Sequence, residues 1–186
     1  MPKKQFEPTT ILFPMPTAVI SVGIGESANL ITLAWVGTVA STPAAIGISI
    51  RPSRYSYDIL NKTGEFVVNL PDASQIKIVD FCGTRSGRDI DKWKELNLTK
   101  GKPAKTQVPL LEEFPINIEC KVIKTEDLGS HRRYIGKVVA VHVDENALSE
   151  GNVDPLKLNP IVYSHDLYFG LQKTPLEEEG FTAEED

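Results

Sequence analysis

The residues best placed to do chemistry lie where a predicted strand runs into a predicted helix. In the run 46–51, three isoleucines alternate with small or polar residues that include Ser49 and Arg51, and this alternation places the two sets on opposite faces of a strand. The run 55–61 has the pattern of a short helix, with Ser53 as its predicted N-cap. A serine and an arginine beside the free N–H groups of a helix start are groups that bind phosphate. The segment is a candidate phosphate site, and a solvated strand-end arginine is the alternative.

The elements that position this segment are predicted to be mostly short strands. Residues 29–56 are predicted to hold two strands and the start of the helix. Alternating or β-branched runs predict further strands, with two helical segments among them. The predicted strands are 18–24, 65–70, 116–122, 134–143 and 161–164, and the helices are 72–81 and 91–96, with a polar loop over 82–91. Many short strands with few helices favour a β-barrel over a layered α/β sheet.

Composition narrows the class of protein. The chain has 186 residues, of which 41% are hydrophobic and 24% charged, which is typical of one globular domain. The net charge of −5 argues against binding to nucleic acids or anionic membranes, which needs clustered basic surface. No apolar run has the length of a membrane span and no secretory leader is predicted, so we expect a cytoplasmic location. Cys82 and Cys120 lie far apart, and His131, His142 and His165 lack the spacing of metal ligands, so we predict neither a disulfide nor a metal site.

Several short motifs follow one another in a defined order along the chain. They are Asn29, Thr32 and Trp35, then Ile-Ser-Ile-Arg51, Tyr-Ser56, Gly64-Glu-Phe-Val-Val-Asn-Leu70, Asp80-Phe-Cys-Gly83 and Asp91-Lys-Trp93. In this order they resemble the flavin reductase-like, FMN-binding split-barrel family, nearest its flavoredoxin branch, over most of residues 10–170. The resemblance implies a mainly β fold, a Greek-key split β-barrel with a few short helices. It also implies FMN bound at the barrel edge near the interface of a homodimer. Residues 1–172 would form a single FMN-binding domain and residues 173–186 an acidic tail.

The same resemblance implies a set of cofactor-binding residues and no catalytic residue from the chain itself. Arg51 would contact the FMN phosphate, and Lys92 would add a second cation. Four residues of this set keep an alternative interpretation: Trp35 as core packing, Asn29 as a turn cap, Cys82 as a buried structural thiol, and His165, for which a surface histidine is the favoured interpretation. The full set is Asn29, Thr32, Ala34, Trp35, Ser49, Ile50, Arg51, Ser56, Cys82, Gly83, Ser86 and Lys92, with His165 and Tyr168 on the substrate side.

The implied activity is electron transfer through FMN. Hydride would pass from NAD(P)H to the flavin, and electrons would then pass to free flavin, ferric iron or a partner protein. The basic cluster at 131–133 is either a solvated face or an attractor for a pyridine-nucleotide phosphate. Two other classes stay open: a non-enzymatic FMN electron carrier, and a nucleic-acid-binding β-barrel, which the acidic charge disfavours.

Overall fold

Strands make up most of the regular structure. The computed structural model describes residues 1–172, 174–177 and 179–181; the rest of the predicted acidic tail, residues 173, 178 and 182–186, lies outside this description. The strands are β1 (Met15–Pro16), β2 (Ala18–Val22), β3 (Asn29–Leu33), β4 (Val36–Ser41), β5 (Ala44–Ile50), β6 (Glu65–Leu70), β7 (Lys100–Gly101), β8 (Leu110–Leu111), β9 (Ile116–Asp127), β10 (Arg132–Val143), β11 (Leu148–Ser149), β12 (Asn152–Val153), β13 (Ile161–Ser164) and β14 (Leu167–Gly170). The α-helices are α1 (Tyr55–Thr63), α2 (Ile76–Thr84) and α3 (Lys92–Glu95), and single 3-10 turns lie at Gly25–Ser27, Ala73–Gln75 and Glu145–Ala147. None of the helices described is long and apolar enough to cross a membrane.

The main sheet has seven antiparallel strands in the order β3-β2-β6-β9-β10-β5-β4. Its two edge strands, β3 and β4, are consecutive in the chain and are joined only by Ala34 and Trp35. A flat sheet of this size would hold its edges about 29 Å apart, whereas two linking residues span only about 10 Å. The sheet must therefore curl until its edges meet at Ala34 and Trp35. The predicted mainly β split barrel is confirmed.

The interior of the barrel is filled by the inward faces of these strands. In β5, Ile48 and Ile50 are fully buried, as their alternation predicts. Gly136 on β10 leaves room for the ring of Phe66, because a Cβ at position 136 would lie 2.5 Å from that ring. The remaining core side chains include Ala18, Ile20, Val22, Ile31, Leu60, Val68, Cys120 and Tyr134. A second cluster, which includes Val19, Leu30, Val79 and Trp93, packs α2 and α3 against the outer face of β2 and β3.

Two local predictions between residues 29 and 56 are wrong. This segment holds three strands, not two, because the Thr42-Pro43 turn folds β4 back onto β5. The predicted N-cap, Ser53, is also wrong, because α1 begins after Arg54, whose side chain makes no capping hydrogen bond.

The predicted loop at 82–91 begins later than expected. Cys82 and Gly83 belong to the last turn of α2, which ends at Thr84. Gly83 lets α2 pack closely on β3, since a Cβ there would lie 3.2 Å from Cβ of Thr32. The first predicted strand ends at Val22 instead of residue 24, and β9 continues beyond its predicted end, to Asp127.

Candidate functional site

Two adjoining cavities open where the edge strands meet. The larger one, the main cavity, has a volume of about 340 Å³, and the smaller one, the side cavity, about 190 Å³. Ile31, Arg54, Gly83 and Thr84 line both cavities. The main cavity is also lined by Thr17, Thr32, Leu33, Ala34, Trp35, Ser49, Arg51, His131, Tyr163 and Tyr168. The side cavity is also lined by Asn29, Ser53, Tyr55, Ser56, Cys82, Arg85, Ser86, Gly87, Arg88 and Lys92.

The side cavity is strongly positive. Arg54, Arg85, Arg88 and Lys92 line it, and the described lining contains no carboxylate. The cavity also borders the start of α1, where the first N–H groups have no intrahelical acceptor. Because no side chain caps this end, the positive end of the helix dipole is open to a ligand. This distribution of charge and donors favours an anion.

Lys92 is a buried cation at this cavity. The residue is only 3% exposed, and its Nζ donates to the carbonyl oxygens of Leu30 and Cys82, each at 2.7 Å. Among the described residues, Lys92 forms no ion pair with a carboxylate. Burial lowers the pKa of Lys92 to about 8. A buried cation without a counter-ion is costly, so an anion bound in the side cavity would complete the pair.

Hydrogen bonds fix the polar groups around the start of α1. Asn29, which is 5% exposed, donates from Nδ2 to Oγ of Ser56 at 2.9 Å. Gly87 touches Asn29 so closely that a Cβ at position 87 would lie 2.2 Å from Oδ1 of Asn29. Arg88 donates from Nη1 to the carbonyl oxygen of Ser53 at 3.0 Å and lies 5.7 Å from the ring centroid of the first residue of α1. The contacts of Arg88 hold the loop after α2 against the start of α1. The hydrogen bond from Asn29 orients the Ser56 hydroxyl.

The main cavity combines an aromatic pair with positive charge. The carbonyl oxygen of Trp35 accepts a hydrogen bond from the N–H of Ser49 at 3.0 Å, which holds the link between the edge strands. The Trp35 ring stacks on His131 with centroids 4.1 Å apart and is 38% exposed, so it lies at the cavity and not in the core. Burial, and then the nearby charge of Arg51, lower the pKa of His131. Arg51 lines the main cavity and not the side cavity; its predicted phosphate contact stays a prediction.

The β13–β14 hairpin brings one of the two predicted substrate-side residues to the main cavity. Tyr168 lines the cavity beside Tyr163, with the two rings edge to face at 5.7 Å. His165 lies on the exposed turn of the hairpin, packs against the ring of Phe13 at 5.1 Å, and lines neither cavity. The structure therefore brings Tyr168, but not His165, to the candidate site.

The remaining predicted site residues differ in what their side chains contact. Thr32 lines the main cavity, but its hydroxyl donates to the carbonyl oxygen of Val79 at 2.5 Å. Cys82 lines the side cavity, and burial raises the pKa of its thiol to about 11 against the opposing charge of Lys92, so it is protonated near neutral pH and a poor nucleophile. Ile50 is fully buried in the barrel core and lines neither cavity.

Several lining residues were absent from the predicted set. Arg54, Arg85 and Arg88 supply most of the charge of the side cavity, and His131 and Thr17 line the main cavity. The available signal was local: cations are concentrated in residues 51–54 and 85–92 of a chain that is acidic overall. What the pattern could not show is that these two segments meet.

Comparisons with known proteins show which family and which structures this chain resembles. The family model for the flavin reductase like domain matches residues 10–172. The flavoredoxin of Desulfovibrio vulgaris (Miyazaki F) has a similar structure, with a TM-score of 0.88 and 27% identity, covering 98% of this chain and 100% of that chain. An uncharacterised protein of Pyrococcus abyssi is 34% identical over 80% of this chain and 85% of its own length. The NADH-dependent FMN reductase AsuE2 of Streptomyces nodosus subsp. asukaensis is 26% identical over 78% of this chain and 77% of its own length.

Proposed function

The chain belongs to the flavin reductase-like family, and we propose that it binds FMN in the two adjoining cavities and passes electrons through it from NAD(P)H to an acceptor. One observation carries the cofactor assignment. A cavity with three arginines and the buried Lys92, and with no carboxylate in its described lining, adjoins a larger cavity with aromatic walls. A phosphate of about −2 charge tethered to a flat ring system matches both halves of this arrangement.

The side cavity is the proposed phosphate site. Arg54, Arg88 and Lys92 supply positive charge there, and the Ser56 hydroxyl is held in place by Asn29. Each charge-assisted hydrogen bond is worth about 1.5–3 kcal/mol. A few such bonds supply much of the affinity expected for a mononucleotide.

The main cavity is the proposed ring site. Bound FMN would supply the redox chemistry, which is the uptake of hydride and the release of electrons. The chain contributes position and charge: Trp35 and Tyr168 provide aromatic walls. Arg51, which does not line the side cavity, provides a cation at the ring end of the site in place of its predicted phosphate contact. A fixed cation favours negative charge that develops on a ring during reduction, and a stacked arrangement of donor and ring replaces a bimolecular encounter.

A second candidate function is that of an electron carrier without its own nicotinamide reaction. The similarity to a flavoredoxin over 98% of this chain supports it, whereas the similarity to a protein named NADH-dependent FMN reductase supports the enzyme. Anaerobic stopped-flow mixing of the FMN-loaded protein with NADH or NADPH separates the two. Rapid bleaching of the flavin absorbance supports the enzyme, and a carrier would stay oxidised until a partner reductase was added.

A homodimer is the proposed assembly. Residues 9–16 and β4 border an open apolar cavity of about 650 Å³ beside the main cavity, and Ala34, Trp35 and Ser49 line both cavities. Exposed apolar side chains such as Leu12 (80%) and Val39 (36%) border it, and exposed apolar surface next to an edge strand marks an interface. Light scattering after size exclusion would give twice the mass of 20.5 kDa; a monomeric mass contradicts the assignment.

Both cysteines are free in the structure. A cytoplasmic location stays a prediction.

FMN titration tests the cofactor assignment. We expect saturable quenching of FMN fluorescence, and we expect Arg88→Ala to weaken binding about ten- to a hundredfold through the lost charge-assisted contact. Lys94→Ala is the matched control, because Lys94 is 87% exposed, pairs only with Asp91 among the described residues, and lines neither cavity. A wild-type protein that does not bind FMN, or equal affinities for the Arg88 variant and the control, would contradict the proposal.

A further inference from the structure

Thr17 carries a buried hydroxyl that the chain itself does not use. The residue immediately precedes β2, is 3% exposed and lines the main cavity. Its Oγ1 atom is buried, and none of the described residues offers it a hydrogen-bond partner. A buried polar atom without a partner needs an explanation, and a bound ligand is one that suits a residue lining a cavity.

The neighbouring hydroxyls of the main cavity do not share this state. Thr32 and Thr84 donate to backbone carbonyl oxygens, and Tyr163 and Tyr168 donate to carboxylates. Ser49 is only half-buried, so water can reach it. Within the described lining, Thr17 alone combines burial with an unpaired hydroxyl.

The unpaired hydroxyl of Thr17 is a net cost to the FMN-free protein. The strand that follows, Ala18–Val22, is buried along its whole length, and valine has the shape of threonine without the polar atom. Leaving a buried hydroxyl unpaired destabilises a fold, so threonine at this position is disfavoured unless a ligand pairs with it. We propose that the Thr17 hydroxyl hydrogen-bonds to the ring system of bound FMN. This inference rests on the proposed function.

Replacement of the hydroxyl separates its effect on binding from its effect on folding. We expect Thr17→Val to weaken FMN binding about three- to tenfold, the value of one neutral hydrogen bond, while the melting temperature of the FMN-free protein stays the same or rises. Thr17→Ser keeps the hydroxyl and should keep most of the affinity. Riboflavin, which has the ring but no phosphate, should lose the same factor with Thr17→Val, because the contact is to the ring.

The control is Thr32→Val, whose hydroxyl already has a partner in Val79; this change should lower the melting temperature of the FMN-free protein. Equal FMN affinity in wild type and Thr17→Val overturns the inference while leaving the proposed function intact. Loss of both melting temperature and affinity in Thr17→Val also overturns it, because the hydroxyl then has a structural partner. If Thr17→Val does not fold, Thr17→Ala gives the same comparison of affinities. Absence of FMN binding by the wild type would instead refute the proposed function.

Discussion

Raising the pH above 8 should weaken FMN binding, because Lys92 then loses the proton that pairs with the phosphate. Burial lowers the pKa of Lys92 to about 8 in the FMN-free protein, and a bound dianion raises it again. Between these two pKa values the affinity falls by up to tenfold per pH unit, so the loss is about tenfold at pH 9. The phosphate itself does not contribute to this change, since its second pKa is near 6.

Fluorescence titrations of FMN at half-unit steps from pH 7 to pH 9.5 measure this effect. Lys92→Met should bind weakly at pH 7 and lose the pH dependence, whereas Lys94→Ala should keep the wild-type profile because Lys94 is exposed and lines neither cavity. Stability of the FMN-free protein should move in the opposite direction. The folded pKa of Lys92 lies below its ordinary value of 10.5, so the unfolded chain binds more protons between about pH 8 and pH 10.5, and this group makes stability rise with pH across that window. An affinity that is flat from pH 8 to 9.5, or an equal slope in Lys92→Met, refutes the reasoning.

Two further substitutions test the packing around the site and the fold that supports it. Gly87→Ala places a Cβ 2.2 Å from Oδ1 of Asn29, so we expect the Asn29 contact with Ser56 to be displaced and FMN affinity to fall about tenfold, measured by titration; unchanged affinity would contradict this. Burial raises the pKa of Glu119, which is fully buried, but the hydrogen bonds that it accepts from residues 104–106 and His142 outweigh burial and lower the pKa to about 2 from 4.5. Glu119→Gln should cost about 3 kcal/mol in urea unfolding at pH 7, and the difference should shrink as the pH falls from 4.5 toward 2; a difference independent of pH would contradict this.

Short apolar runs between turn signals were sufficient to predict the bounds of two strands. The strands at 65–70 and 161–164 have their predicted bounds, because each is a short apolar run that ends at a turn or a proline. The segment 29–56 was harder, since the Thr42-Pro43 turn lacks a dipeptide such as Asn-Gly that marks a hairpin. Cys82 and Gly83 were assigned to a loop because glycine weakens a helical pattern. Here the glycine belongs to the helix and eases the close packing of α2 on β3, because a Cβ would lie 3.2 Å from Cβ of Thr32.

The composition of the site was less predictable than the fold, because most of it depends on which segments meet. The order of motifs was enough to propose Lys92 as a cation near the phosphate, but not its burial or its two carbonyl partners. Arg54 and Arg88 come from two separate segments of the chain that meet at the side cavity, and neither stands in a local pattern that distinguishes it from a solvated arginine. His165 shows the converse: its sequence neighbourhood resembles the family, but the hairpin turn carries it outward.

Lys92 links the edge strand β3 to the proposed phosphate site. Its Nζ donates to the carbonyl oxygen of Leu30, which belongs to the edge strand β3, and to that of Cys82 in α2, so it joins the two elements that enclose the side cavity. An ammonium has three N–H donors, and two of them are engaged by these carbonyls. Loss of one proton still leaves two donors on the neutral amine, so both structural bonds can persist above pH 8 while the donor and the charge directed to a ligand are lost. A rise in pH should therefore remove FMN without opening the contact between α2 and β3, whereas Lys92→Met should lose both the anion and that contact.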